Sequence, residues 1–328
     1  MRSKKNHNVA IFYGGYGPEF DISLQSAQFI QSVLAPIGWK LYLVEVSKSG
    51  YRAFDSQRNL LDFLSEDFII IENSERHKIQ VAFNAIHGPP GEDGELAKLF
   101  EKHQIPHTSC SSEVAQLTFD KHKCLSRLEQ IGIHRPKYYF LDKFFMTTFD
   151  LIDKKVGYPC FVKPARSGSS FGISRVEHKL QLIQAFKHAS LLDKRILIEK
   201  AVKGTEVSVG VVPWKNKILV LPITELISQN PFFDYEAKYL GKSDEITPAR
   251  ISEQKKNEIE TIAKDIYTYL GLKGATRSEF IIQEEKIYLL EVNTVPGFTS
   301  VSILPQQLQS AGIDLTEFFG DLVRLAIE

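Results

Sequence analysis

The sequence predicts an α/β protein of more than one domain. Its first hundred or so residues alternate short β-branched runs with amphipathic stretches, glycine turns separate them, and 328 residues are too many for one ordinary core. Val9 to Tyr13 is the first apolar run. Gly14-Gly15 ends it, and Asp21 to Leu34 carries apolar residues at helical spacing, so the opening reads strand, glycine turn, helix. Lys40 to Val46, Phe68 to Ile71 and Val81 to Ile86 continue the strands, and Asp93 to His103 is helical in pattern. Such alternation predicts a parallel α/β layer. A middle block follows, with a helix at Asp120 to Ile131, strands at Tyr138 to Leu141 and Cys160 to Lys163, and a glycine-serine loop at Ala165 to Gly172. Glu177 to Ala189 then reads as a helix and Arg195 to Glu199 as a strand. The last block, from Glu206, holds strands, a charged helix at Ser252 to Leu270, a hairpin and terminal helices. Repeats, low-complexity segments and long linkers are absent, so ligand clefts are expected between docked domains.

Composition narrows the function. Forty Lys and Arg balance forty Asp and Glu, without the basic bias of a nucleic-acid or membrane-surface protein, so a small-molecule enzyme is expected. Cys110, Cys124 and Cys160 are far apart and odd in number, which fits neither a disulfide framework nor a zinc spacing. Reduced thiols in a cytoplasmic protein are expected. The apolar run after the basic Met1 to Asn8 is shorter than a signal-peptide core, and no stretch has the length of a membrane span.

The strongest chemical signal is Tyr288-Leu-Leu-Glu-Val-Asn-Thr-Val-Pro-Gly-Phe-Thr-Ser300. Glu291 and Asn293 are two apart in a strand-like run, hence on one face. Arg277 to Ile282, carrying Arg277 and Glu279, reads as the partner strand, with Gln283 to Lys286 as the turn. Carboxylates and an amide oxygen beside a cation suit magnesium, which is usually held by one or two carboxylates plus substrate phosphates. Register sets a condition. Glu279 shares the face of Glu291 only if the turn centres on Glu285, pairing Ile282 with Tyr288; a turn of even length sends it to the other side.

Phe161-Val-Lys-Pro-Ala-Arg-Ser-Gly-Ser-Ser-Phe-Gly172 ends a strand with Lys163 and continues as a loop of hydroxyls and free N–H groups that can wrap phosphate oxygens. It is no Walker A motif, and Gly241-Lys242-Ser243 lacks the glycine such a motif needs upstream. Lys121 opens a helix, and with Lys163 it fits a polyphosphate. Ile198 to Val202 ends a strand that can read an adenine edge, and Glu206 follows as an acceptor for ribose hydroxyls. His87-Gly-Pro-Pro-Gly-Glu-Asp-Gly94 is a tight loop leading to a helix N-terminus, where an anion is stabilised. Gly14-Gly-Tyr-Gly-Pro-Glu-Phe-Asp21 fails the dinucleotide spacing, while Glu19 could hold an ammonium group.

Several segments together resemble the D-alanine:D-alanine ligase family of the ATP-grasp superfamily, in order and over nearly the whole chain. They are Gly14-Gly15 with Glu19 and Ser23-Leu24; His87-Gly88 with Gly91 to Gly94; Asp120-Lys121; and Phe161 to Arg166 with Gly168 to Ser170. Phe233-Asp-Tyr-Glu-Ala-Lys-Tyr239, Arg277, Glu291 to Thr294 and Pro296 to Ser300 complete the set. The resemblance implies a three-domain ATP-grasp architecture with an N-terminal parallel α/β domain (1–108, first substrate), a central subdomain (109–197, phosphate loop) and a C-terminal subdomain (198–328, metal and second substrate). ATP would lie between the last two. Lys121, Lys163, Ser170 and Lys238 would contact phosphates, and Glu199, Lys200, Val202 and Glu206 adenine and ribose, with Phe232 and Leu290 in the same nucleotide site. Glu279, Glu291 and Asn293 would bind two Mg2+ ions, with Mn2+ as an alternative. Glu19, His87 and Arg277 would position the first D-alanine; Ser169 and Tyr239 would link to Glu19; Gly297 and Ser302 would receive the second D-alanine. The catalytic set implied is Glu19, Ser169, Tyr239, Arg277 and Ser302, in a cytoplasmic homodimer of peptidoglycan synthesis.

Four positions depart from the usual family pattern. Glu279 stands where aspartate is usual, Phe20 replaces a polar or charged residue beside Glu19, Tyr16 is bulky in the glycine turn, and Phe119 stands where methionine is common before Asp120-Lys121. Other readings are a ligase for D-lactate or another amino acid, a nucleotide-binding paralogue without catalysis, and a nicotinamide oxidoreductase. The Asp234 to Tyr239 loop resembles the dipeptide type and favours the amide.

Overall fold

The computed structural model describes residues 7–142, 148–228 and 243–328. Its first sheet is built around β1 (Asn8–Gly14), which pairs in parallel with β2 (Lys40–Ser47) on one side and β7 (Val81–Asn84) on the other. All three are buried nearly throughout, as central parallel strands are. An antiparallel meander of β3 (Gly50–Phe54), β4 (Leu60–Leu64), β5 (Ile69–Glu72) and β6 (Glu75–Lys78) widens the sheet to seven strands. The parallel layer expected from sequence is therefore the β2-β1-β7 core only. β6, Glu-Arg-His-Lys, escapes a hydrophobic reading because it is an edge strand guarded by charge.

One face of this sheet is covered by α1 (Phe20–Leu34), whose Ala27, Ile30 and Leu34 follow the helical period. Beside α1 lies the last helix of the chain, α9 (Leu315–Ile327), with Phe318 and Phe319 fully buried. The opposite face packs Phe12, Phe68 and Phe100, the last from α2 (Glu95–Lys102). Helices α3 (Ser112–Phe119) and α4 (Lys121–Glu129) follow, and Asp120 caps α4 by accepting from Lys123 N–H at 3.1 Å.

The second sheet is antiparallel, in the order β10 (Ser174–Val176), β9 (Cys160–Pro164), β11 (Ile196–Lys200), β8 (Tyr138–Leu141), with α5 (Thr148–Lys155) and α6 (Leu182–Ser190) against it. The third contains β12 (Thr205–Trp214), β13 (Lys217–Val220), β14 (Thr224–Ser228), β15 (Ser243–Ile246), β16 (Thr276–Gln283) and β17 (Lys286–Asn293). On it packs α7 (Glu253–Tyr269), capped by Ser252 and burying Ile259, Ala263, Ile266 and Tyr267. The short α8 (Ile303–Ser310) leads into α9. All three cysteines are buried and unlinked. Among the described residues no helix is long and apolar enough to cross a membrane.

Candidate active site

The hairpin of β16 and β17 reaches the expected arrangement by an unexpected route. Gln283 pairs with Lys286 and Ile282 with Ile287, so the turn has two residues, the even parity expected to separate Glu279 from Glu291. A β-bulge restores the match: Phe280 pairs with Leu289, yet Glu279 pairs with Glu291, leaving Leu290 as the extra residue. Arg277 then lies opposite Asn293, and all four side chains share one face. The guanidinium of Arg277 meets Glu279 Oε1 at 2.8 Å, and Lys121 Nζ meets Glu291 Oε2 at 3.1 Å. Two cations thus face the two carboxylates.

The described residues contain no group of three His, Cys, Asp or Glu placed to hold a metal. Two carboxylates and an amide are nonetheless the donors magnesium takes when phosphate oxygens and water complete its shell. Asn293 Oδ1 accepts from Val295 N–H at 3.0 Å and keeps a second lone pair. The set fits that ion.

Beside the hairpin lies a cavity of about 180 Å³ lined by strands of the third sheet and by helix and loop residues, among them Glu19, His87, Glu92, Lys121, Ser169 and Arg277. Glu19 sits at the N-terminus of α1, only 6% exposed, and accepts a short hydrogen bond from the Ser169 hydroxyl. Gly88, at φ +66°, lets the chain pass close by: a Cβ there would stand 2.8 Å from Glu19 Oε2. His87 Nδ1 donates to Val295 O at 3.0 Å, while Nε2 lies 3.1 Å from Ser26 Oγ. Burial holds its pKa below the ordinary histidine value. Both ring nitrogens are therefore engaged within the protein. Glu92 accepts from Gly88 N–H at 2.8 Å; burial first, and then the Glu19 carboxylate, push its pKa up to about 8. Gly297 and Ser302 line the far side. Ser302 is the N-cap residue of α8, its Oγ 2.7 Å from Thr299 Oγ1, so a carboxylate arriving there meets a helix N-terminus.

The second cavity, a cleft of about 870 Å³ between the second and third sheets, has the size of a cofactor or nucleotide site. It gathers Lys163, Ser170, Glu199, Lys200, Val202, Glu206, Glu279 and Leu290, and Glu291 and Lys121 line both cavities. Glu199 is buried between Lys163 and Arg135, whose Nη2 donates at 3.2 Å. Lys200 Nζ donates to Tyr158 O at 2.5 Å, and Lys121 Nζ to Ser167 O at 2.5 Å. Ser169 and Ser170 both have positive φ, 44° and 59°, an uncommon backbone for non-glycine residues and one found at ligand loops.

Every expected site residue within the described segments lines one of these cavities. Phe232, Lys238 and Tyr239 lie outside the described residues. Sequence reasoning gave no role to Glu92, Glu245 or Arg135. Glu92 was within reach, since it sits in the Gly91 to Gly94 motif. Glu245 faces the first cavity from the edge strand β15, its pKa raised by burial and its Oε2 accepting from Gln306 Nε2 at 3.0 Å. Nothing in its local sequence marks it, and the same holds for Arg135, whose guanidinium stacks 3.6 Å over the Tyr138 ring.

A nucleotide-sized cleft between two antiparallel sheets, docked on an α/β sheet with parallel core strands, defines the ATP-grasp class. Residues 8–110 match the family model described as D-ala D-ala ligase N-terminus, and residues 128–324 the one described as D-ala D-ala ligase C-terminus. The chain is 43% identical over 320 residues to the D-alanine–D-alanine ligase of Flavobacterium johnsoniae, covering 98% of this chain and 99% of that one. Among solved structures, D-alanyl-alanine synthetase A from Vibrio cholerae superposes with a TM-score of 0.87 at 29% identity, covering 98% of each chain. The VanG D-Ala:D-Ser ligase from Enterococcus faecalis superposes with 0.86 at 28% identity, covering 98% of this chain and 100% of that one. The chain belongs to the D-ala D-ala ligase family.

Proposed function

We propose that this protein uses ATP to join two D-alanines into D-alanyl-D-alanine for peptidoglycan precursor synthesis, acting in the cytoplasm as a homodimer. The observation that carries the reading is the single face of Arg277, Glu279, Glu291 and Asn293 where a nucleotide-sized cleft meets an amino-acid-sized cavity. The domains divide at about residues 108 and 197, one around each sheet, in keeping with the connections between sheets. Glu19 holds the ammonium of the first D-alanine. The carboxylate of that D-alanine attacks the γ-phosphorus of ATP and becomes an acyl phosphate, with ADP as the leaving group. Lys121 and Lys163 balance phosphate charge, and Ser170 contributes from the loop. Glu279, Glu291 and Asn293 hold Mg2+, or Mn2+, which when bound neutralises charge on the transferring phosphate. Ser302 and the α8 N-terminus take the carboxylate of the second D-alanine beside Gly297, and its neutral amine attacks the acyl carbon; the tetrahedral adduct then expels phosphate, and the nitrogen loses a proton to give the amide. Arg277 stabilises the oxyanion of that adduct.

The second substrate is the choice that fold does not make, because a D-Ala:D-Ser ligase superposes almost as well as a D-alanyl-alanine synthetase. Phe119, one of the departures from the family pattern, lines the first cavity. Phosphate release from ATP and magnesium should be compared with D-alanine, D-serine, D-lactate and L-alanine, with mass spectrometry of the products. Dipeptide from D-alanine alone is the expected result. Mixed products that replace it would move the assignment to the D-serine or D-lactate branch, and ATP binding without turnover would move it to a non-catalytic nucleotide binder.

A further inference from the structure

We propose that Ser26 is a positioning residue whose hydroxyl, acting through His87, ties the loop that receives the second amino acid to the helix that holds the first. This rests on the two-amino-acid reading above. Three segments meet at Ser26. Its Oγ accepts from Phe298 N–H at 3.3 Å and lies 3.1 Å from His87 Nε2, while His87 Nδ1 lies 3.0 Å from Val295 O.

One carbonyl fixes the direction of the chain. Val295 O can only accept, so His87 Nδ1 carries the proton; Nε2 of the neutral ring is then an acceptor, and the Ser26 hydroxyl must donate to it. The Ser26 oxygen keeps lone pairs for the Phe298 amide. Every bond is therefore used in one sense only. The ties fall at residues 295 and 298, on either side of Gly297, so the backbone offered to the second substrate is held from both ends.

Ser26 is seven residues after Glu19, two helical turns along α1 and on the same side. Helix α1 thus presents Glu19 to the first substrate and Ser26 to the loop of the second, and the spacing between the two subsites is set by one rigid element. Ser26 is fully buried and His87 is 5% exposed, so water cannot replace a lost partner. The loop has independent apolar anchoring, since Phe298 packs edge-on against Phe83 at 5.8 Å and Phe319 at 5.7 Å. Removing the hydroxyl should shift the backbone around Gly297 rather than unfold the segment.

The test compares wild type, Ser26→Ala and Ser26→Thr, measuring KM for each amino-acid site and for ATP, with hydrogen exchange of residues 295–299. In Ser26→Ala the second-site KM should rise about tenfold, as one buried hydrogen-bonded link implies. ATP KM should stay within about twofold, the first-site KM should rise less than the second-site KM because His87 keeps its tie to Val295, and exchange at Phe298 should quicken. Ser26→Thr, which retains the hydroxyl, should return the second-site KM towards wild type. Equal changes at both sites, an unchanged second-site KM, or unaltered exchange at Phe298 would overturn the proposal. If wild type joins no amino acids, the functional reading fails instead, and the exchange result still decides whether Ser26 holds the loop.

Discussion

The two walls that border both cavities solve the same problem in opposite ways. On the third sheet the polar residues stand on paired strands, and one bulge between Glu279 and Phe280 brings Arg277, Glu279, Glu291 and Asn293 to a common face. On the second sheet Lys163 and Glu199 are strand residues locked in a buried ion pair, but Ser169 and Ser170 stand on a loop with positive φ angles. That loop is held from outside its own sheet, by Glu19 on Ser169 and by Lys121 on Ser167 O. The strand wall is pre-organised by register, as groups that stabilise charge in a transition state need to be. The loop wall is positioned by contacts reaching across the molecule, so its geometry depends on the first sheet.

The contrast can be broken by substitution. The largest effect belongs to the strand wall: Arg277→Ala should lower kcat by about 10²- to 10³-fold, the usual cost of removing a donor aimed at developing negative charge. Steady-state rates at saturating substrate check this, and Arg277→Lys should recover only part because the planar fork is lost. An intermediate effect belongs to the loop wall. Ser169→Ala removes the link to Glu19 and should raise KM for the first D-alanine about tenfold, with kcat less affected. A kcat loss as large as that of Arg277→Ala would erase the distinction between the walls.

The smallest effect probes the first sheet and is read in stability. Glu92 keeps its proton up to about 8 in the folded chain, against an ordinary value of 4.5. A raised pKa contributes stability that is full below 4.5 and is lost as pH climbs through 8. Glu92→Gln keeps an oxygen for Gly88 N–H without the ionisation, so its melting temperature should exceed that of wild type by roughly 2–4 °C at pH 8 and by less at pH 5. Melting curves at the two pH values check it. An offset that does not change with pH would mean that Glu92 is already ionised in the folded protein. The lowered His87 pKa weakens both proteins alike as pH falls below the ordinary histidine value, and does not disturb the difference.

Local signals carried far into this structure. The run from Val9 to Tyr13, the helix from Asp21 to Leu34 and the charged helix after Ser252 were legible because apolar period and capping residues act within a few residues of one another. Glu291 and Asn293 shared a face by strand period alone. The bulge was not legible, because an extra residue in a ladder is decided by what the partner strand offers. Strand β6 was missed for a related reason: an exposed edge strand needs only one buried face, or none, and leaves little hydrophobic pattern. Glu92, Glu245 and Arg135 acquire their meaning from burial and from neighbours far along the chain.

The sequence by itself determined the α/β class, the oxygen donors of one hairpin and the glycine-serine loop whose Ser170 lines the larger cleft, because each follows from residues close together in the chain. Tertiary structure decided the register that aligns Glu279 with Glu291, the raised pKa of Glu92, and the link from Ser26 through His87 to Val295, whose ring and carbonyl are 208 residues apart. Each of these depends on which groups lose water together, and that is fixed only when distant segments pack.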